Sequence, residues 1–302
     1  MTTTCGIFGF EFTQPFTAAG LTFTPLYSHP PVATQVARDP DAHHLTGTVH
    51  GLNLAADQVI YRLEAVLSFI EHLDVRLSEP TADEAALTDP RSHFDQVQRH
   101  GRRHNGGGAV INPDWFAPHQ RARHDFIQRA MDRLADDAFC EATKFRLLFI
   151  KASETFRQRQ PFMEVTYFLL YSGLEAYARK VQNHVGSNAV KPIVAMLKAH
   201  GFDVCAHDQK NHARSMTTYW GIRNAIFHNG ELAGTVRVDN VHATLPSEEY
   251  LYHLQMLVCL TIMKAIGFED AHRNWDCWID YKPHGNLGQF PSELEALLAA
   301  HG

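Results

Sequence analysis

The chain has 302 residues, of which 45% are hydrophobic, 11% aromatic and 20% charged, enough for a sizeable core and too apolar for a disordered polar protein. Its 27 Lys and Arg against 33 Asp and Glu give a formal net charge of −6, which excludes a protein that coats nucleic acid through overall charge but leaves room for a local basic groove. No apolar run reaches the roughly 18 residues of a membrane span, the N-terminus lacks a secretory pattern, and Cys5, Cys140, Cys205, Cys259 and Cys277 show no paired spacing, so the expectation is a cytoplasmic protein with free thiols and no membrane contact.

Residues 1–54 read as extended, because Cys5 to Phe12, Leu21 to Tyr27 and Leu45 to Leu54 are β-prone runs separated by Pro15, Gly20, Pro30-Pro31 and Pro40. From Ala56 to Leu77, apolar residues recur every three or four positions, predicting a helix that Pro80 stops. Residues 79–114 run polar through Arg99, Arg102, Arg103 and the triple glycine Gly106 to Gly108, as a loop or linker does. After Pro118 the pattern turns helical. Phe126, Ala130 and Leu134, then Phe145 to Phe156, keep helical spacing, and Phe162 to Val181 is apolar nearly all round, as in a central bundle helix. Another stripe from Val190 is closed by Gly201, Val236 and Val238 suggest a hairpin arm, and Ser247 opens a long helix to Gly267. The expected fold is mainly α, a helical bundle over 116–270 preceded by a small strand-containing α+β lobe with helix and linker over 1–115, and followed by a loose tail over 271–302.

The most informative segment runs from Met216 to Gly230 and carries Arg223, Asn224 and His228 on a helix that ends at Asn-Gly. At about 100° per residue, Met216, Trp220, Arg223 and Phe227 share one apolar sector, which sends a cation toward the core. Asn224 and His228 flank it as an i, i+4 pair. A buried Arg needs an acceptor, and Glu175, stranded in the most apolar helix, is the natural candidate. A structural ion pair between two helices would satisfy the same pattern. A titratable imidazole beside a fixed cation and an amide also suits phosphodiester cleavage by a neighbouring 2′-hydroxyl, with His as acid or base and Arg neutralising the developing charge.

The run Arg223-Asn-Ala-Ile-Phe-His228 resembles the Arg-x4-6-His signature of HEPN domains, all-helical RNA-cutting or RNA-binding modules, and is most similar to the Apea-like group of anti-phage defence proteins. The resemblance covers roughly residues 120 to 268. It implies a homodimer with a composite site that cuts RNA without a metal or other cofactor, leaving a 2′,3′-cyclic phosphate. Arg223 would bind the scissile phosphate, His228 would move or position a proton, Asn224 would support both, and Glu175 would be the acid on the preceding helix. It further implies a defence or toxin effector acting on RNA, tRNA included, under a phage-derived trigger or an antitoxin partner. A non-catalytic HEPN module binding RNA or nucleotide, and a HEPN toxin held in check by an antitoxin, are the alternatives.

The bare motif is weak. Arg-x4-His also occurs at Arg38/His43, Arg99/His104, Arg179/His184 and Arg237/His242, and context selects Arg223/His228, with Arg179/His184 as the helical rival. Tyr219 and Trp220 lie where a base could stack, with core packing the expectation for Trp220. Candidate RNA contacts are Arg99, Arg102, Arg103, Arg179, the run Arg121 to His124 with Arg129 and Arg133, and Lys144, Arg146, Lys151, Arg157 and Arg159. Cys205, His207 and His212, and His272 with Cys277, are zinc-type ligands without zinc-type spacing, so no metal is expected.

Overall fold

The computed structural model describes residues 2–52, 54, 57–94, 110–116, 121–238, 241–270 and 273–280. β1 (Thr2–Phe8), β2 (Phe16–Ala18), β3 (Leu21–Pro25), β4 (Leu45–Leu52) and β5 (Arg76–Leu77) form an antiparallel sheet in the order β2-β3-β4-β1-β5. Thr2 pairs with Leu52 and the register runs to Ile7 opposite Gly47, with a bulge before Phe8. α1 (Pro30–Ala37) interrupts the strands. Its double proline, read from sequence as a separator, opens the helix, where a missing N–H does no harm.

α2 (Asp57–Glu71) ends six residues before the predicted Leu77. His72 takes a left-handed φ of 54°, and the Ser68 hydroxyl accepts from Val75 N at 2.9 Å, turning the chain so that Leu77 pairs with Ile7. Two short helices, α3 (Ala85–Thr88) and α4 (Pro90–Phe94), stand in the segment expected to be loop. The bundle comprises α5 (Ala122–Ala135), α6 (Asp137–Thr143), α7 (Phe145–Arg157), α8 (Met163–Val181), α9 (Val190–Ala199) and α10 (Met216–Asn224), then a hairpin of β6 (Ala233–Val238) and β7 (Val241–Pro246), and α11 (Ser247–Ala265). The chain is thus mainly α with a strand lobe. The tail is not loose throughout: α12 (Cys277–Asp280) buries Trp278 completely, and the Trp278 carbonyl contacts His253 of α11.

One hydrophobic cluster runs from Cys5 to Trp278, through the lobe and the bundle. Phe69 of α2 stacks on Phe126 of α5 and on Phe149 of α7, each with centroids 5.2 Å apart. Such pairs add about 0.5–1.5 kcal/mol each beyond area burial. Beside them lies an ionic layer. Glu71, fully buried, accepts from Arg123 Nη1 at 2.6 Å, Arg38 Nη1 at 2.8 Å and the Glu11 amide at 2.9 Å. Nearby, Arg157 of α7 pairs with Glu64 at 2.9 Å and Asp74 at 3.2 Å.

Candidate functional site

The motif helix buries a different face from the one its projection suggests. Met216, Tyr219, Ile222 and Ile226 enter the core, while Trp220 is 43% and Phe227 41% exposed. Two observations explain the rotation. The Tyr219 hydroxyl donates to Ala213 O at 2.7 Å, and the Tyr219 carbonyl accepts from the buried Tyr167 hydroxyl of α8 at 3.1 Å. From the other side β6 presses on the helix so closely that a Cβ on Gly234 would stand 2.8 Å from Ile222 N. Tyr219 is therefore a core residue that offers no face to a base, and Trp220 is the exposed one, reversing both expectations.

Past Asn224 the helix widens into a π turn over Ala225–Asn229, and Gly230 closes it with a left-handed φ of 68°. An α-helix aligns residues three or four apart, whereas a π turn closes i→i+5. Arg223 and His228 stand five residues apart, the i→i+5 spacing of a π turn, and the turn itself carries His228. His228 is exposed and Arg223 half-buried. π turns cost regular hydrogen bonding and concentrate at functional sites.

The structure brings Arg223 to Asn224, donating from Nη1 to Oδ1 at 2.8 Å, and sets its guanidinium 5.2 Å from the Phe227 centroid. It does not bring Arg223 to Glu175. That carboxylate accepts instead from Arg179 Nε at 2.8 Å, one turn along α8, and Arg179 Nη1 also donates to Gly186 O at 2.6 Å. The expected cross-helix ion pair is a local i, i+4 pair, which costs less order to form. Among the described residues no carboxylate lies within ion-pair distance of Arg223. The Arg179 of the rival motif is already occupied.

Tyr171 of α8, which sequence reasoning missed, belongs to the same region. Its hydroxyl is buried with no hydrogen-bond partner among the described residues. Burial pushes the phenol far up, Glu175 adds to this, and Arg223 and Arg179 oppose it, so it stays protonated. The i, i+4, i+8 spacing of Tyr171, Glu175 and Arg179 is the sequence signal that marks this row.

Of the basic candidates, Arg123 and Arg157, whose side chains are buried, are internal partners of Glu71 and of Glu64 with Asp74. Arg146 pairs with Asp137 and Lys144 with Glu141. Arg99, Arg102 and Arg103 lie outside the described residues, as does His272. His207 Nδ1 meets the Thr217 hydroxyl at 3.1 Å, and no three His, Cys, Asp or Glu side chains gather as a metal site among the described residues. All five cysteines are free, and no helix among the described residues is long and apolar enough to cross a membrane. No protein-family model matches the chain, and neither a curated protein nor a solved structure matches it significantly.

Proposed function

We propose that the chain is a HEPN-type endoribonuclease that cuts RNA without a metal and serves as a defence or toxin effector. The observation that carries this reading is the half-buried Arg223, oriented by Asn224 and with no carboxylate partner among the described residues, followed by a π turn that carries the exposed His228. An oriented guanidinium without a counter-ion is suited to a phosphodiester, whose charge it meets through planar paired N–H groups.

In this reaction the substrate 2′-oxygen attacks the adjacent phosphorus, the bond from phosphorus to the 5′-oxygen breaks, and a 2′,3′-cyclic phosphate forms. One proton leaves the 2′-hydroxyl and one is delivered to the departing 5′-oxygen. His228 serves one of these transfers, Arg223 stabilises the added negative charge on the phosphoryl oxygens, and Asn224 fixes the guanidinium. Glu175 acts at a distance by holding Arg179. One imidazole per chain is thin for an acid and a base together, which favours a homodimer with two His228 and two Arg223 lining one cleft across the RNA.

The test is incubation of the purified chain with tRNA and a single-stranded RNA in EDTA, beside Arg223→Ala and His228→Ala. Cleavage by the wild type that both variants lose supports the reading; retention of cleavage in both variants rejects it.

A further inference from the structure

The outward side of the motif helix is aromatic where a solvated helix would be polar. Trp220 is 43% exposed, Phe227 41%, and Phe168 of α8 39%. The Phe168 and Phe227 centroids lie 4.8 Å apart with planes tilted by 48°, so α8 and the π turn contribute to one surface. Each of these two rings carries a cation: Arg223 stands 5.2 Å from the Phe227 centroid, and Lys151 Nζ of α7 stands 5.1 Å from that of Phe168. Lys151 is itself fixed, donating to the Ser172 hydroxyl at 2.7 Å.

Exposed π faces interleaved with cations match two features of an unpaired nucleotide, a flat base and a phosphate. Duplex RNA does not offer the first, because its bases are already stacked. A second copy of this chain fits less well. Packing this face directly on its own copy, unlike two copies that face each other across a bound RNA, would press Arg223 and Lys151 against their like-charged counterparts and take four cations out of water.

We infer that Trp220, Phe227 and Phe168, with Lys151, form a stacking platform for unpaired bases of single-stranded RNA, flanking the phosphate held at Arg223. This rests on the ribonuclease reading for its location and adds to it the rings that hold the bases. Stacking on these rings is sequence-tolerant, since every base has a π face. The platform selects unpaired segments such as loops and single strands over helices, and it places the backbone between stacked bases within reach of Arg223 and His228.

The experiment uses the full chain and a fluorescent 2′-O-methyl RNA oligonucleotide, which lacks the attacking hydroxyl, so that binding is read apart from cleavage. The single strand is expected to bind at least about tenfold more tightly than its duplex, and Trp220→Ala and Phe227→Ala each to weaken single-strand binding by roughly 5- to 150-fold. Trp220→Tyr and Phe227→Tyr, which keep a ring, should restore most of the affinity. Equal affinity for duplex, absence of wild-type binding to either, or alanine variants that bind like wild type would overturn the platform. A wild-type dimer that Trp220→Ala converts to monomer in sedimentation would overturn it too, by making this face a subunit interface. Ring-dependent binding of the single strand by a chain that never cuts unmodified RNA would sustain the platform and reject the ribonuclease. Undiminished cutting of single-stranded RNA by both alanine variants would do the reverse.

Discussion

Arg223 holds its guanidinium 5.2 Å from the Phe227 ring centroid while donating to Asn224 Oδ1 at 2.8 Å. Ring and amide orient the cation without neutralising it, as a carboxylate would. The cation is half-buried at the surface, and removing it leaves the core intact. Arg223→Ala should lower RNA cleavage by roughly 10²–10³-fold, the usual loss for one donor to a developing charge, with stability within about 0.5 kcal/mol of wild type. Single-turnover kinetics and urea unfolding check the two halves separately. A large loss of stability would mean that the side chain is structural.

Tyr171 tests the buried hydroxyl beneath the site. A buried hydroxyl without a partner is destabilising, whereas a phenyl ring of the same shape is not. Tyr171→Phe should leave the unliganded chain as stable as wild type or more stable by up to about 1 kcal/mol. Measured destabilisation in urea would show that the hydroxyl has a partner.

Glu71 joins the strand lobe to the bundle through Arg123 and Arg38. Its replacement by Gln leaves the fully buried Arg123 cation without its counter-charge, and breaking a buried pair from one side costs about 3–5 kcal/mol. Because one hydrophobic cluster spans both regions, unfolding by heat should remain a single transition at lower temperature. Replacing both partners, with Glu71→Leu and Arg123→Met together, should recover much of the loss. Two separated transitions would contradict this linkage.

Asp74 predicts an acid-side dependence. Burial acts to raise its pKa, but the His43 hydrogen bond and the Arg76 and Arg157 guanidiniums outweigh it, and the carboxyl sits below its ordinary value of 3.8. A carboxyl depressed on folding contributes stability that is fully present above its unfolded pKa and lost as pH falls through the folded one. Wild type should therefore lose melting temperature on acidification below about pH 4 more steeply than Asp74→Asn, which lacks the titrating group. Parallel curves would refute the assignment.

Much of the helical order was legible because period and caps are local. The helix after Ser247, the stripe closed by Gly201 and the hairpin arm at Val236 and Val238 stand close to where patterning put them. The orientation of the motif helix was not legible. Met216 begins two stripes of comparable apolarity, one through Trp220 and Phe227 and one through Tyr219, Ile222 and Ile226, and only the packing of α8 and Gly234 selects the second. The cost of turning Arg223 inward already weighed against the first. The Glu175–Arg179 pair was local and visible as i, i+4 spacing, whereas the Arg123–Glu71 pair joins residues 52 apart and has no sequence signature. The π turn has none either, and no periodicity analysis built on 3.6 residues reveals it.

The roles of the substrate 2′-hydroxyl and of His228 are read together by comparing an RNA oligonucleotide with its fully 2′-O-methylated form, in EDTA, with end-group analysis of products from wild type and His228→Ala. Wild type is expected to cut the unmodified RNA to 2′,3′-cyclic phosphate and 5′-hydroxyl ends, to spare the methylated strand, and to lose cutting when His228 is replaced. Products with 5′-phosphate ends, cutting of the methylated strand, or full activity without His228 would contradict these roles.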